Sequence, residues 1–484
     1  MKGKGLGKTI FNNMDLVSIL NYEKGIVIEL DEDYGFKIEN EDIWGRGILV
    51  CYDGDLNDIL EIYKSEPIYY SMSDGVLARF VLSNGVAAIK LTDIIRFEDV
   101  SSMNYVNAFN SCFDLIHLRK KFDSLVEKDL FKNTILPPEP YYSLKALFHG
   151  GVMVARSGVY SNLHSYDLVS AHASNIVNEV YPTGTYEYMT IPVEDLNKIR
   201  KTKDIFYIGN VTFKNIRLKP NFLPIIYFKD NVSMGEKGVE ITDTGYIINA
   251  KEIRIAITET YLDCINMCYD YDEITEQYVF VCNQGGKLPD SVRNYVATKF
   301  KDKNSKLKGT REYAEAKLAV NLCFGFMCRA TNDYNHYAYG HKLIYPYQWG
   351  VYTCLYTTYK IVCKMKEIVE RGGKVIAIAT DSIKYLGDFE LDSGFGLGDL
   401  KDEGIFDKAY IVSVYRAIYQ KKDKLDIKLA GCIKEAAEKY FSTHNVINIF
   451  ENYTEIPDGK VLYKFNKDTS RFEAVYMPYT IGSV

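Results

Sequence analysis

The N-terminal part of the chain alternates short apolar runs with turn residues: Gly25-Ile-Val-Ile-Glu-Leu30, Gly47-Ile-Leu-Val-Cys-Tyr52 and Gly85-Val-Ala-Ala-Ile-Lys-Leu91. Runs this short, bounded by glycine, predict strands with a few helices among them over residues 1–135. In Leu136-Pro-Pro-Glu-Pro140 three prolines fix φ and remove backbone donors, so a linker is expected there. Beyond residue 141 strand-like runs mix with long helical stretches, the pattern of an α+β body. Glu312 to Cys323 has helical character, and Lys317, Asn321 and Phe324 recur at i, i+4 and i+7, on one face. Between Gly373 and Gly387 two β-type runs flank Thr380-Asp381, which predicts a hairpin with a carboxylate at its tip. Ser165-Tyr-Asp167 reads as a strand end. The small residues after it permit a tight turn into a helix over 175–180.

The 484 residues exceed one ordinary domain, and 47% hydrophobic content supplies real cores. No apolar stretch is long enough to span a bilayer, and the Lys-rich, Gly-rich start lacks the apolar run of a signal peptide. An intracellular protein is therefore expected. The ten cysteines form no CxxC pair, which argues against a zinc ribbon or redox motif. Cys264 and Cys268 share one helix face and read as buried small hydrophobes. A net charge of −6 does not advertise a nucleic-acid binder, but catalytic carboxylates can mask a basic channel, and clustering matters more.

Three segments carry the candidate chemistry. In Ser165-Tyr-Asp167-Leu-Val-Ser170-Ala-His172, a carboxylate at a strand end is well placed to hold a hard cation. Lys317, Asn321 and Phe324 offer an ammonium, an amide and a ring to a nucleoside triphosphate, and Gly325 removes bulk where a base pair approaches. In Ala379-Thr380-Asp381-Ser382, the hairpin offers a second aspartate that would bracket a pair of metal ions with Asp167 if the two segments lie side by side.

Together, in this order and with gaps of 150 and 64 residues, the three segments resemble the motifs of family B DNA polymerases, written DxxSLYP, KxxxNSxYG and DTDS. Phe148-His-Gly150-Gly151 resembles the YxGG element of the protein-primed members, which touches template. Leu397-Gly-Asp-Leu400 and Ile427-Lys428-Leu-Ala-Gly431 resemble segments leading into and through their thumb. The resemblance covers about residues 145–480. It implies a right-hand polymerase of palm, fingers and thumb with a small N-terminal α/β domain. The expected division is 1–140, a reduced exonuclease remnant or unrelated domain; 141–400, palm and fingers; and 401–484, thumb and C-terminal region.

The resemblance further implies two Mg²⁺ ions, replaceable by Mn²⁺, on the catalytic Asp167 and Asp381. It implies nucleotide contacts from Ser170, His172, Lys317, Asn321, Phe324 and Gly325, and primer–template contacts from Phe148, Gly150, Gly151, Thr380, Ser382 and Lys428. Lys303, Lys306 and Lys308 are further phosphate candidates. The implied partners are primer–template DNA, dNTPs and a terminal protein, with a monomer in the cytoplasm of a bacterial host, encoded by a phage or mobile element.

The departures from the family pattern are specific. Ala379 replaces the first aspartate of DTDS, and His172 replaces the tyrosine that excludes a ribose 2′-hydroxyl. Phe324 stands in the tyrosine position of the second motif, and the thumb's KxY motif is degenerate around Tyr415-Arg416-Ala-Ile-Tyr419. Asp53-Gly-Asp55 and Asn110-Ser-Cys-Phe113-Asp114 resemble the first two exonuclease motifs. No third follows, so proofreading is not expected. The alternative reading is a catalytically silent polymerase-like protein that binds nucleic acid or a partner, which Ala379 favours.

Overall fold

The computed structural model describes residues 135–190, 205–228, 238–307, 310–328, 346–422, 424–444, 455–466 and 471–481, a few isolated positions between these, and five short strands within residues 26–87. The chain divides into two compact units, residues 1–123 with 456–479, and residues 124–455 with 480–484. In the first, Ile26–Leu30, Gly47–Cys51 and Val86–Ala87 form a three-stranded antiparallel sheet, so all three expected runs carry strand, the last of them over two residues. The exonuclease-like residues Asp53, Asp55, Asn110, Phe113 and Asp114 lie outside the described residues.

The proline cluster is not a linker but the start of helix α1 (Pro138–Leu147), with Pro137 as its N-cap. The first turn of a helix leaves its N–H groups without intrahelical acceptors, so prolines there cost no hydrogen bond. The first regular bond is Tyr141 N–H to the Pro137 carbonyl, one residue past the last proline. Tyr141, Leu144 and Leu147 then bury one face of the helix.

Strands β1 (Met153–Ala155) and β2 (Gly158–Leu168) lead into helix α2 (Ala171–Asn178). This helix starts four residues earlier than expected, because Ser170 takes a left-handed conformation (φ 49°) and turns the chain at once. Strands β3 (Phe206–Leu218), β4 (Ile247–Thr258) and β5 (Glu273–Cys282) form the centre of one antiparallel sheet in the order β4-β3-β5. Between β4 and β5, helix α3 (Glu259–Cys268) buries Cys264 and Cys268, both free, as the hydrophobic reading expects.

Three helices follow: α4 (Asp290–Ser305), α5 (Arg311–Met327) and α6 (Tyr347–Glu370). The 24-residue α6 buries Trp349, Tyr352, Leu355, Ile361, Met365 and Ile368, and packs on α2, α3 and α5. Strands β6 (Lys374–Ala379), β7 (Ser382–Leu386), β8 (Leu400–Ser413), β9 (Arg416–Lys421) and β10 (Lys424–Leu429) complete a seven-stranded antiparallel sheet, ordered β10-β9-β8-β2-β7-β6-β1. Leu163, Ile376, Ala409, Ile411, Ala417 and Tyr419 form a buried cluster within it. This sheet positions the candidate site. Among the described residues no helix is long and apolar enough to cross a membrane.

Candidate active site

Asp167 is the penultimate residue of β2. It lies opposite Ser382 on β7 and opposite Lys401 on β8. The Leu168 N–H donates to the Asp381 carbonyl at 2.8 Å, so the two aspartates, far apart in sequence, sit on adjacent strand ends. The hairpin is the expected one: β6 and β7 pair from Lys374–Leu386 to Ala379–Ser382, with Thr380 and Asp381 at the tip. Ala379, Ser382 and Asp167 are successive cross-strand partners, so they share one row and one sheet face.

The tip is pinned from the other side as well. Thr380 N–H donates to the Val152 carbonyl at 2.8 Å, and Thr380 holds a left-handed φ of 56°, which is unfavourable for a β-branched residue. A Cβ on Gly151 would meet Thr380 Cγ2 at 2.4 Å, so only glycine fits beside the tip. Gly150, with φ 86°, needs glycine for its backbone alone. The loop at Gly398-Asp399 exchanges two backbone hydrogen bonds with Val169, beside the same strand end.

Burial raises the Asp167 carboxyl to about 6, with Asp381 and then Glu403 adding like charge, while Lys384 and Lys401 oppose them. Burial also raises Asp381, against a backbone hydrogen bond and Lys384. Two partly desolvated carboxylates that repel one another fit a hard divalent cation. Among the described residues no third carboxylate, histidine or cysteine joins them in a metal-binding group. A pair of carboxylates leaves coordination positions for phosphate oxygens and water, as Mg²⁺ prefers.

A second cluster adjoins Asp167 through α2. Ser170 Oγ accepts from Lys303 Nζ at 2.7 Å, which ties α4 to the start of α2. The His172 ring stacks on Phe324 of α5 with centroids 3.9 Å apart and 25° between planes. Its Nδ1 is 3.0 Å from Thr357 Oγ1 on α6, a hydroxyl that also accepts from Asn175 Nδ2 at 2.9 Å. Burial pushes the imidazole down to about 4, so it is neutral at physiological pH. The Phe148 ring lies edge-on to Phe324 at 6.4 Å. Lys317 and Asn321 are exposed, and nothing lies within 4 Å of a Cβ built on Gly325. The helix face expected to meet a nucleotide is thus open, with Phe324 at its inner end.

Lys428 stands on β10, paired to Asp426 at 3.6 Å, with Nζ 5.9 Å from the Tyr419 ring centroid on β9. Tyr415 and Arg416 are exposed, whereas Tyr419 is buried. Lys306 is exposed at the C-cap of α4, and Lys308 lies outside the described residues. Two neighbours of the site escape a sequence reading. Thr357 sits inside a long apolar helix with no local mark. Lys384 shares a β7 face with Ser382, and only its alternation with Ile383 and Tyr385 hints that it points the same way.

No family model matches the sequence, and no curated protein does. Solved structures share the fold. One, "Phi29 DNA Polymerase, orthorhombic crystal form", is similar with a TM-score of 0.58 at 14% identity, over 96% of this chain and 88% of that one. Another, "Phi29 DNA polymerase complexed with primer-template DNA and incoming nucleotide substrates (ternary complex)", is similar with a TM-score of 0.60 at 13% identity, over the same shares. The fold is therefore of DNA-polymerase type, with mixed helix and sheet.

Proposed function

We propose that the chain is a template-directed DNA polymerase of the protein-primed family B type, adding dNTPs to a primer 3′-hydroxyl without proofreading. The observation that carries this reading is the convergence of Asp167 and Asp381 on adjacent strand ends, beside the cluster of His172 and Phe324. In this reading the seven-stranded sheet, which β8 to β10 extend to Leu429, is the palm, α4 and α5 are the fingers, and the thumb follows that sheet. Asp167 and Asp381 would hold two Mg²⁺ ions, which would supply charge neutralisation for the triphosphate and a lowered pKa for the primer hydroxyl. Lys317 donates to the triphosphate and Asn321 orients it. Ser170, fixed by Lys303, lines its path, and His172 packed on Phe324 forms the floor under sugar and base. Gly325 leaves room for the nascent pair. Phe148, Gly150, Gly151, Thr380, Ser382 and Lys428 line the primer–template path. A terminal protein is the priming partner, and the enzyme works as a monomer in the cytoplasm of a bacterial host.

Extension of a labelled primer with Mg²⁺ and with Mn²⁺ tests the proposal. Wild type extends, whereas Asp167→Asn and Asp381→Asn each fall to background while keeping most of their DNA affinity, because they remove metal charge and not phosphate contacts. A variant that still extends at near the wild-type rate refutes the role of that residue. The second reading, a silent DNA-binding relative, rests on Ala379, which stands in the row of Ser382 and Asp167. Failure of wild type under both metals, with extension recovered by Ala379→Asp, decides for it.

A further inference from the structure

A cleft that the proposed chemistry does not use opens between α3, α6 and the chain just after β3. Its lining is Lys219, Asp263, Asn266, Met267, Tyr359 and Lys366. Its volume is about 410 Å³, within the range of about 300–1,000 Å³ usual for small-ligand sites. Asp263, Asn266 and Met267 stand at i, i+3 and i+4 on α3, and Tyr359 and Lys366 at i and i+7 on α6, so each helix gives the cleft one face. Tyr359 follows Thr357 by two residues, about 200° around the helix. It therefore leaves α6 away from the side on which Thr357 meets His172.

The groups in the cleft are oriented by neighbours and keep capacity for a ligand. Lys219 Nζ donates to the Asn266 carbonyl at 2.6 Å and stands 3.7 Å from Asp270, which leaves a direction unused on an ammonium with three N–H donors. Lys366 Nζ stands 3.6 Å from Glu370, a pair half in solvent and therefore weak. The Tyr271 hydroxyl donates to Asn266 Oδ1 at 2.9 Å, so the Asn266 amide N–H groups remain donors. Tyr359 is 37% exposed, on a helix whose rings at Tyr347 and Tyr352 are buried. The Cys363 thiol and then burial push its phenol up to about 12, so the ring is a neutral plate at physiological pH. The charge pattern selects what fits. A carboxylate in the cleft repels a bare anion, and two ammonium groups repel a bare cation. A molecule with an anionic end, hydroxyl donors and a flat ring satisfies all of them at once. Ribonucleoside phosphates have that composition: a carboxylate accepts from the ribose hydroxyl in dinucleotide-binding folds, and every base has a face that stacks on an aromatic ring.

We propose that this cleft binds a ribonucleoside 5′-phosphate, with its base on Tyr359, its phosphate held by Lys219 and Lys366, and its 2′-hydroxyl donating to Asp263. Asn266 is a further donor to the phosphate. The residues all belong to the unit formed by residues 124–455 and 480–484, and the inference does not depend on the polymerase reading. Binding here makes and breaks no covalent bond.

The test is isothermal titration calorimetry of full-length protein in EDTA, with AMP, 2′-deoxy-AMP and adenosine as probes. Wild type is expected to bind AMP, and to bind 2′-deoxy-AMP about tenfold more weakly, as the loss of a hydrogen bond to a charged group requires. Tyr359→Leu is expected to weaken AMP by about tenfold. Lys366→Met is expected to weaken AMP by about fivefold and to leave adenosine, which has no phosphate, unchanged. In Asp263→Ala the two monophosphates bind alike. The proposal is overturned by a wild type that binds no AMP, by equal affinities of wild type for AMP and 2′-deoxy-AMP, or by AMP affinity unchanged in Tyr359→Leu or in Lys366→Met. AMP binding that is lost in Lys317→Ala and kept in Tyr359→Leu places the nucleotide at the proposed active site and overturns it too. Melting curves separate misfolding from lost contact. If Asp263→Ala unfolds, the comparison of the two monophosphates on wild type and the other variants is decisive. Primer extension is scored separately, so a protein that binds AMP in this pattern without extending a primer refutes the polymerase reading and leaves this site standing.

Discussion

Asp167 carries a cost that the metal-free protein bears alone. Below about pH 4 its carboxyl is protonated in folded and unfolded chains alike. Between the ordinary value of 3.8 and about 6 the folded chain keeps a proton that the unfolded chain releases, so stability falls as pH rises through that window. Above it the deficit is constant. Asp167→Asn removes the charge, and the variant is expected to melt at a higher temperature than wild type at pH 8 in EDTA, with the gap closing toward pH 4. Thermal unfolding across pH decides this, and a gap that widens in acid contradicts it. His172 is the second residue with a testable consequence. Its imidazole, stacked on Phe324 and bonded to Thr357, stands where the family B motif that this segment resembles has tyrosine. Histidine is smaller and offers a ring nitrogen to a 2′-hydroxyl, a bond worth about 1 kcal/mol. His172→Tyr is therefore expected to tighten the preference for dNTP over rNTP by about fivefold or more. Because the ring stays neutral down to about pH 4, the wild-type ratio should hold from pH 6 to 9. An identical ratio in the two proteins removes His172 as the determinant.

At the scale of elements, the hairpin of β6 and β7 is positioned by contacts at its tip. Gly151 and Thr380 pack so closely that a methyl at 151 has no room. Gly151→Ala should cost about 1–3 kcal/mol, as overpacking does, and should displace the tip that carries Asp381. In a Thr380→Gly background the obstructing side chain is gone and the strain at φ 56° is relieved, so the same substitution should cost little. Urea unfolding of the four proteins in this cycle measures the coupling, and additive losses would show that the two positions do not meet. The same geometry accounts for Thr380 N–H pairing with Val152: the tip is held by the segment after Gly151 as much as by its own turn.

The whole molecule is expected to lack one activity. The proofreading exonucleases that the N-terminal motifs resemble need four carboxylates around two metals, and only Asp53, Asp55 and Asp114 match parts of that pattern. No 3′→5′ shortening of a labelled single strand is expected with Mg²⁺ in the absence of nucleotides. Shortening that disappears in Asp53→Ala or Asp114→Ala would restore a proofreading role to the N-terminal part. The polymerase-type fold places no requirement on that activity, because the sheet with Asp167 and Asp381 belongs wholly to the unit formed by residues 124–455 and 480–484.

Local chemistry was legible without a structure wherever one short segment contains its own explanation. The hairpin at Thr380-Asp381, the helix carrying Lys317, Asn321 and Phe324, and the buried pair Cys264 and Cys268 follow from periodicity and turn residues within a dozen positions. The prolines of 137–140 were legible only in part, since the same residues that forbid a helix interior suit a helix start, and tertiary burial of Tyr141 and Leu144 chose between them. Relations between distant segments were decided by tertiary structure alone. That β2 and β7 are neighbours, that His172 meets Phe324 and Thr357, and that Lys384 reaches Tyr419 across two strands depends on sheet order and register, which long-range packing sets and no local pattern encodes.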